Sequence, residues 1–115
     1  MISIDAGAAI IPAHKLRDYL LATTHPIGRY KAAFFIALGY TSEAWEVLER
    51  DLRNLLRGPV QMLEVTEYGQ KVATQGELKG PTGRVAAVVA VWIILAGESA
   101  PRFVTAYPLK RKKQV

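Results

Sequence analysis

The sequence predicts an α+β fold, with three N-terminal helices packed on a four-stranded antiparallel meander sheet, and three observations carry that reading. Apolar residues recur at helical spacing up to about residue 57. From Val60 onward, segments rich in Val, Thr, Ile and aromatic residues alternate with turn clusters: YGQ at 68–70, GPTG at 80–83 and AGESAP at 96–101. Connections this short join antiparallel neighbours, and helices that all precede the strands gather on one face of the sheet.

The elements follow in order. Pro12 suits a first helical position, and Leu16, Tyr19 and Leu20 share a helical face, which predicts a helix over Pro12–Ala22. Pro26 disfavours helical geometry at His25, so TTHP separates it from a second helix over about Gly28–Leu38, stopped by Gly39. A third helix over about Ser42–Arg57 carries the stripe Trp45, Leu48, Leu52, Leu55 and Leu56. Thr41 is its expected N-cap, with Tyr40 and Trp45 in hydrophobic-staple positions, and Gly58-Pro59 closes it. Four strands follow, at approximately Gln61–Glu67, Lys71–Leu78, Arg84–Leu95 and Arg102–Leu109. The third is apolar at both parities, so both of its faces should be covered. Trp45 and Trp92 are expected in the core.

Half of the 115 residues are apolar, enough for one α+β domain spanning residues 1–109. There is no cysteine, which excludes disulfides and thiolate chemistry, and two histidines without cysteine leave no zinc-site pattern. The N-terminal MISIDAGAAII lacks the basic start of a signal peptide, and the longest apolar run, Val85–Ala96, is far short of the roughly 20 residues of a membrane span. A cytoplasmic protein is the expectation. The net charge of +5 is concentrated: Lys110, Arg111, Lys112 and Lys113 form a basic C-terminal tail at 110–115, and the body is nearly neutral. Such a tail is either a solvated end or a weak steering patch for phosphate.

Chemistry is concentrated in two stretches. In HPIGRYKAAFF, residues 25–35, Lys31 falls about 40° from Ile27 at 100° per residue, in the middle of the stripe formed by Phe34, Phe35 and Leu38. An ammonium there either snorkels to solvent along the core edge or emerges into a cleft that binds an anion. His25 stands six residues earlier, near the free N–H groups of a helix start that favour phosphate. His14 reads as a helix-surface residue. In PRFVTAYPL, alternation places Phe103, Thr105 and Tyr107 on one strand face and Arg102, Val104 and Ala106 on the other, unless a bulge near Pro101 re-aims Arg102. The acidic residues offer no divalent-metal pair: Glu46–Arg50 and Glu49–Arg53 read as exposed i,i+4 pairs. GPTGR reads as a hairpin turn rather than a phosphate loop.

The segments IPAHKLRDYLL, HPIGRYKAAFF, ALGYTSEAW, YGQKVATQGELKGPTGR, VWII and PRFVTAYPL, over residues 10–109, resemble a bacterial domain family of unknown function with HP-x-G-x-x-K-A-x-F-F and V-T-A-Y-P signatures. Its members occur alone or as C-terminal modules of polymorphic toxins. Their arrangement is similar to the toxin RNase superfamily of barnase, EndoU, colicin and RelE types. The resemblance implies a metal-independent endoribonuclease with no cofactor, held in check by a cognate antitoxin or immunity protein. Such chemistry needs a base, cations for the developing phosphorane charge and an acid. On matching positions, His25 would transfer a proton, Lys31 and Arg102 would stabilise charge, and Thr105 or Tyr107 would orient the phosphodiester or donate a proton; outside the resemblance, the charge of Lys110–Lys113 makes the tail the candidate segment for holding RNA. Two alternatives remain: a non-catalytic RNA- or protein-binding module of the same fold, and a structural homodimer joined through the apolar third strand.

Overall fold

A computed structural model describes residues 4–22 and 29–109. Helix α1 begins as α-helix at Ala13–Lys15 and continues as a wider π-helical turn at Leu16–Leu20, closed by the Leu21 N–H donating to the Leu16 carbonyl, five residues back. Pro12 precedes it in extended geometry. Helix α2 covers Arg29–Ala37 and α3 covers Trp45–Leu55. Strands β1 (Val60–Thr66), β2 (Gly69–Lys79), β3 (Val85–Leu95) and β4 (Arg102–Pro108) form one antiparallel sheet in the order β1-β2-β3-β4. The predicted helices-then-meander arrangement is present, with the predicted strand ends within two residues of those observed.

The core lies between the helices and one face of the sheet. Leu16 and Leu20 of α1, Phe35 and Leu38 at α2, and Leu48, Leu52 and Leu55 of α3 pack with Val72, Val88, Ala90, Trp92, Ile94, Phe103 and Ala106. Trp92 is fully buried; its ring meets Phe103 edge-on at 5.4 Å, and its indole N–H donates to the buried Thr74 hydroxyl at 2.9 Å. That bond explains how a polar side chain tolerates the interior of a sheet face. Trp45, expected in the core, is only partly buried: helix α3 begins at Trp45 itself, after a separate turn in which the Thr41 hydroxyl accepts from the Ala44 N–H at 3.2 Å. The Tyr40 hydroxyl donates to the Asp51 carboxylate at 2.7 Å, and burial together with that bond holds its ionisation far above the ordinary tyrosine range.

The expected exposed pairs on α3 are arranged differently. Arg50 pairs with its neighbour Asp51 at 3.4 Å. Arg53 does pair with Glu49 at 3.2 Å, but partly buried, and it also donates to the carbonyls of Ala6, Gly7 and Ala9, tying the N-terminal turn Ala6–Ala8 to α3. The GPTG turn has a second job besides reversing the chain: the Thr82 N–H and hydroxyl both donate to the Leu38 carbonyl at the end of α2. The approach is close enough that a Cβ on Gly39, whose φ is +103°, would meet the Thr82 backbone at 2.7 Å.

The other sheet face is covered without a helix. Ala73, Val89 and Val91 are buried there with Val104 beside them, a second cluster of sheet residues alone. Among the described residues, no helix is long and apolar enough to cross a membrane.

Candidate functional site

Strand β4 is an edge of the sheet, and its outer side is where polar side chains converge. The pairing register shifts there: Trp92 stands opposite Phe103, but Val91 stands opposite Thr105, so Val104 is an extra residue and β4 bulges. Strict alternation therefore fails. Phe103 joins the helix-side core with Ala106, while Thr105 and Tyr107 stand opposite Val91 and Val89 of the second cluster; the expected sharing of one face by Phe103 and Thr105 is corrected by the bulge. The bulge lies after Arg102 rather than near Pro101.

An edge strand leaves N–H and C=O groups facing outward, and here those at the start of β4 are satisfied. The Ile10 N–H donates to the Pro101 carbonyl at 2.8 Å, and the Ile10 carbonyl accepts from the Phe103 N–H at 2.9 Å. Beyond that bridge, Lys15 takes over. Its Nζ donates to the carbonyls of Phe103 at 3.1 Å and Val104 at 3.5 Å, at the bulge. Helix α1 can do this because positions four apart share a face: His14 with Asp18 and Lys15 with Tyr19 point toward β4, while Leu16 and Leu20 are buried in the core.

Helix α2 contributes the remaining cation. Lys31 Nζ donates to the Thr105 hydroxyl at 3.0 Å and to the Tyr19 hydroxyl at 3.4 Å, and it lies 5.6 Å from the centre of the Tyr19 ring, a cation–π distance. The ammonium is partly buried between an α1 phenol and a β4 hydroxyl, so it has not escaped to open solvent. Neither hydroxyl cancels its charge. Among the described residues, neither Lys31 nor Lys15 enters an ion pair. His14, Lys15, Asp18, Tyr19, Val104 and Thr105 line the adjoining cleft, about 400 Å³ in volume. Its carboxylate is already engaged: Asp18 accepts from Arg17 at 3.1 and 3.3 Å, and that bond, then the attraction of Arg17 and His14, outweigh desolvation to hold it below the usual carboxylate range.

Of the residues singled out from the sequence, the fold brings Lys31 and Thr105 together across 74 positions of chain. Tyr107 is elsewhere: it lines an uncharged groove of about 390 Å³ over the second cluster, with Pro59, Val60, Gln61, Leu63, Gln75 and Leu109 among its neighbours. Arg102 stands opposite Ile93 and pairs with Glu98 at 3.3 Å; its Nε is buried without a partner. His25 and the tail Lys110–Lys113 lie outside the described residues. Lys15 and Tyr19 were not singled out from the sequence. The available signal was their four-residue spacing beside the Leu16–Leu20 stripe, but only the position of the β4 edge gives that face a target. Among the described residues no three His, Asp or Glu side chains group to hold a metal ion.

Comparison with known proteins agrees with this architecture. The family model for a domain of unknown function, DUF6883, matches residues 4–110. The chain belongs to that family. No curated protein matches it. Among solved structures, it is similar to one chain of a contact-dependent growth inhibition toxin–immunity protein complex from Klebsiella pneumoniae 342, with a TM-score of 0.72 at 15% identity. The likeness covers 92% of this chain and 97% of that one, and at this identity it speaks for the fold.

Proposed function

We propose that this family member is a metal-independent endoribonuclease of toxin type, with the Lys31–Thr105 cleft as its active site and a cognate immunity protein as its restraint. The observation that carries the reading is the Lys31 ammonium held 3.0 Å from the Thr105 hydroxyl, partly buried, beside a cleft and without a counter-carboxylate among the described residues. An uncompensated, partly desolvated ammonium with donors to spare binds an oxyanion well, and it stabilises charge that grows on a phosphorane more than charge already present. Thr105 fixes where that ammonium sits, and Tyr19 confines it from the other side.

The substrate follows from the same groups. Transfer to an internal 2′-hydroxyl requires no metal if cations stabilise the equatorial oxygens and protons move between the 2′ and 5′ oxygens. The sequence signature offers His25 as one candidate for proton transfer, and the charge of the basic tail Lys110–Lys113 suits it to steer the RNA backbone. A fold similar to a chain of a toxin–immunity complex supports an immunity protein as the partner. The test is cleavage of mixed RNA by EDTA-treated protein, freed of any bound inhibitor. Products ending in 2′,3′-cyclic phosphate are expected, with none from an all-2′-deoxy strand of the same sequence. Intact RNA under those conditions contradicts the reading.

The alternative, a binding module that does not cleave, draws on a different observation. All seven residues of β1 are exposed, and with the groove beneath Tyr107 they present Val60, Met62, Leu63 and Val65 to solvent. RNA or protein capture with no cleavage in the same assay would favour it.

A further inference from the structure

We propose that His14 is the proton acceptor of this cleft, a role that rests on the nuclease reading of the Lys31–Thr105 site. His14 lies on the face of α1 that lines the cleft together with Lys15, Asp18, Tyr19, Val104 and Thr105, and two of those lining residues, Tyr19 and Thr105, accept from the Lys31 ammonium next to it.

The charged groups around it are engaged elsewhere. Asp18, four residues on, shares its helix face and feels its charge, but is occupied by Arg17. Lys15, also on α1, is turned to the β4 carbonyls. From β4 the cleft receives Val104 and Thr105, which carry no charge, and from α2 the Lys31 ammonium reaches Thr105. His14 is exposed and has no hydrogen bond within the described fold that its ring must keep. It is therefore free to meet a substrate hydroxyl.

A cleft of about 400 Å³ is large enough for one phosphodiester and its ribose. With the phosphate on Lys31, the ribose 2′-hydroxyl gives its proton to the neutral imidazole as the 2′ oxygen bonds to phosphorus. The P–O5′ bond breaks with its electron pair on the 5′ oxygen, which takes a proton from water, and the imidazolium returns its own proton to solvent. The products are a 2′,3′-cyclic phosphate and a 5′-hydroxyl, with no oxidant or further reactant.

The experiment compares wild type with His14→Gln on a short RNA in EDTA, under single-turnover conditions from pH 5 to 9. A strand carrying one 2′-deoxy substitution at the cut site serves as the binding probe. The expected result is a loss of about 10²-fold or more at neutral pH with unchanged binding of the probe. The rising limb of the rate profile, in the range where an imidazole loses its proton, should disappear, and added imidazole should partly restore cleavage by His14→Ala. Wild-type cleavage with an unaltered rate and pH limb in His14→Gln would overturn the role of His14 while leaving the Lys31 site in place. A wild type that cleaves nothing would remove both.

Discussion

The two edges of this four-stranded sheet solve the same problem in opposite ways. At β4, outward backbone groups at its start are bonded by Ile10 and by the Lys15 side chain reaching over from α1. At β1, every side chain is exposed, no strand pairs with the outer side among the described residues, and the residues presented include Val60, Met62, Leu63 and Val65. Satisfying part of the β4 edge with a lysine brings a cation to the bulge beside Thr105, the hydroxyl that Lys31 reaches from α2, and polar chemistry collects there. The bare β1 edge collects apolar side chains instead. An edge of that kind is open to another strand.

If stability resides on the β3–β4 side, Trp92→Ala should cost about 3 to 5 kcal/mol, since it empties a fully buried site and strands the Thr74 hydroxyl. Val65→Ala on β1 should then fall within about 0.5 kcal/mol of wild type by urea denaturation. Equal losses would erase the contrast between the edges.

The next effect is intermediate in size. Lys15→Met keeps the aliphatic stem and removes the donors to Phe103 and Val104, so two carbonyls at the bulge lose their partner. A loss of about 1 to 3 kcal/mol is expected, accompanied by faster amide hydrogen exchange in β4 but not in β1. Unchanged exchange in β4 would show that the edge does not depend on Lys15. The smallest effect sharpens the other side: Val65→Lys should leave stability within about 0.5 kcal/mol, because that side chain already stands in solvent. A clear loss of stability would show that the β1 edge is covered after all.

These contrasts also explain what the sequence could convey. Helix stripes and strand segments were legible because core burial imposes periods of 3.6 and 2, and turns such as GPTG mark their ends. Lys31 was conspicuous for the same reason, as a charge within an apolar stripe. Its destination was half legible: Thr105 was named, but its face was assigned by an alternation that one extra residue at Val104 interrupts. Tyr107 was grouped with Thr105 by the same period and does share its face, opposite Val89, yet it lines a separate groove with β1 residues rather than the cleft beside Lys31. For Lys15 the helical spacing was visible but its target was not, because its partners are main-chain carbonyls on an edge strand some 88 positions away, and neither the edge nor the bulge has a residue signature. Trp45 was placed too deep because the start of α3 is set by the Thr41 turn, which delays the helix to Trp45 itself.

On the proposed nuclease reading, the ammonium gathered at the covered edge does the chemistry. Lys31→Met, Thr105→Val and the double variant test it most directly, each shown folded and then assayed for RNA cleavage in EDTA under single-turnover conditions. Because Thr105 acts by holding Lys31, the account predicts a loss of about 10²-fold or more for Lys31→Met, a smaller loss for Thr105→Val, and a double variant no worse than Lys31→Met alone. Wild-type cleavage by folded Lys31→Met would contradict it.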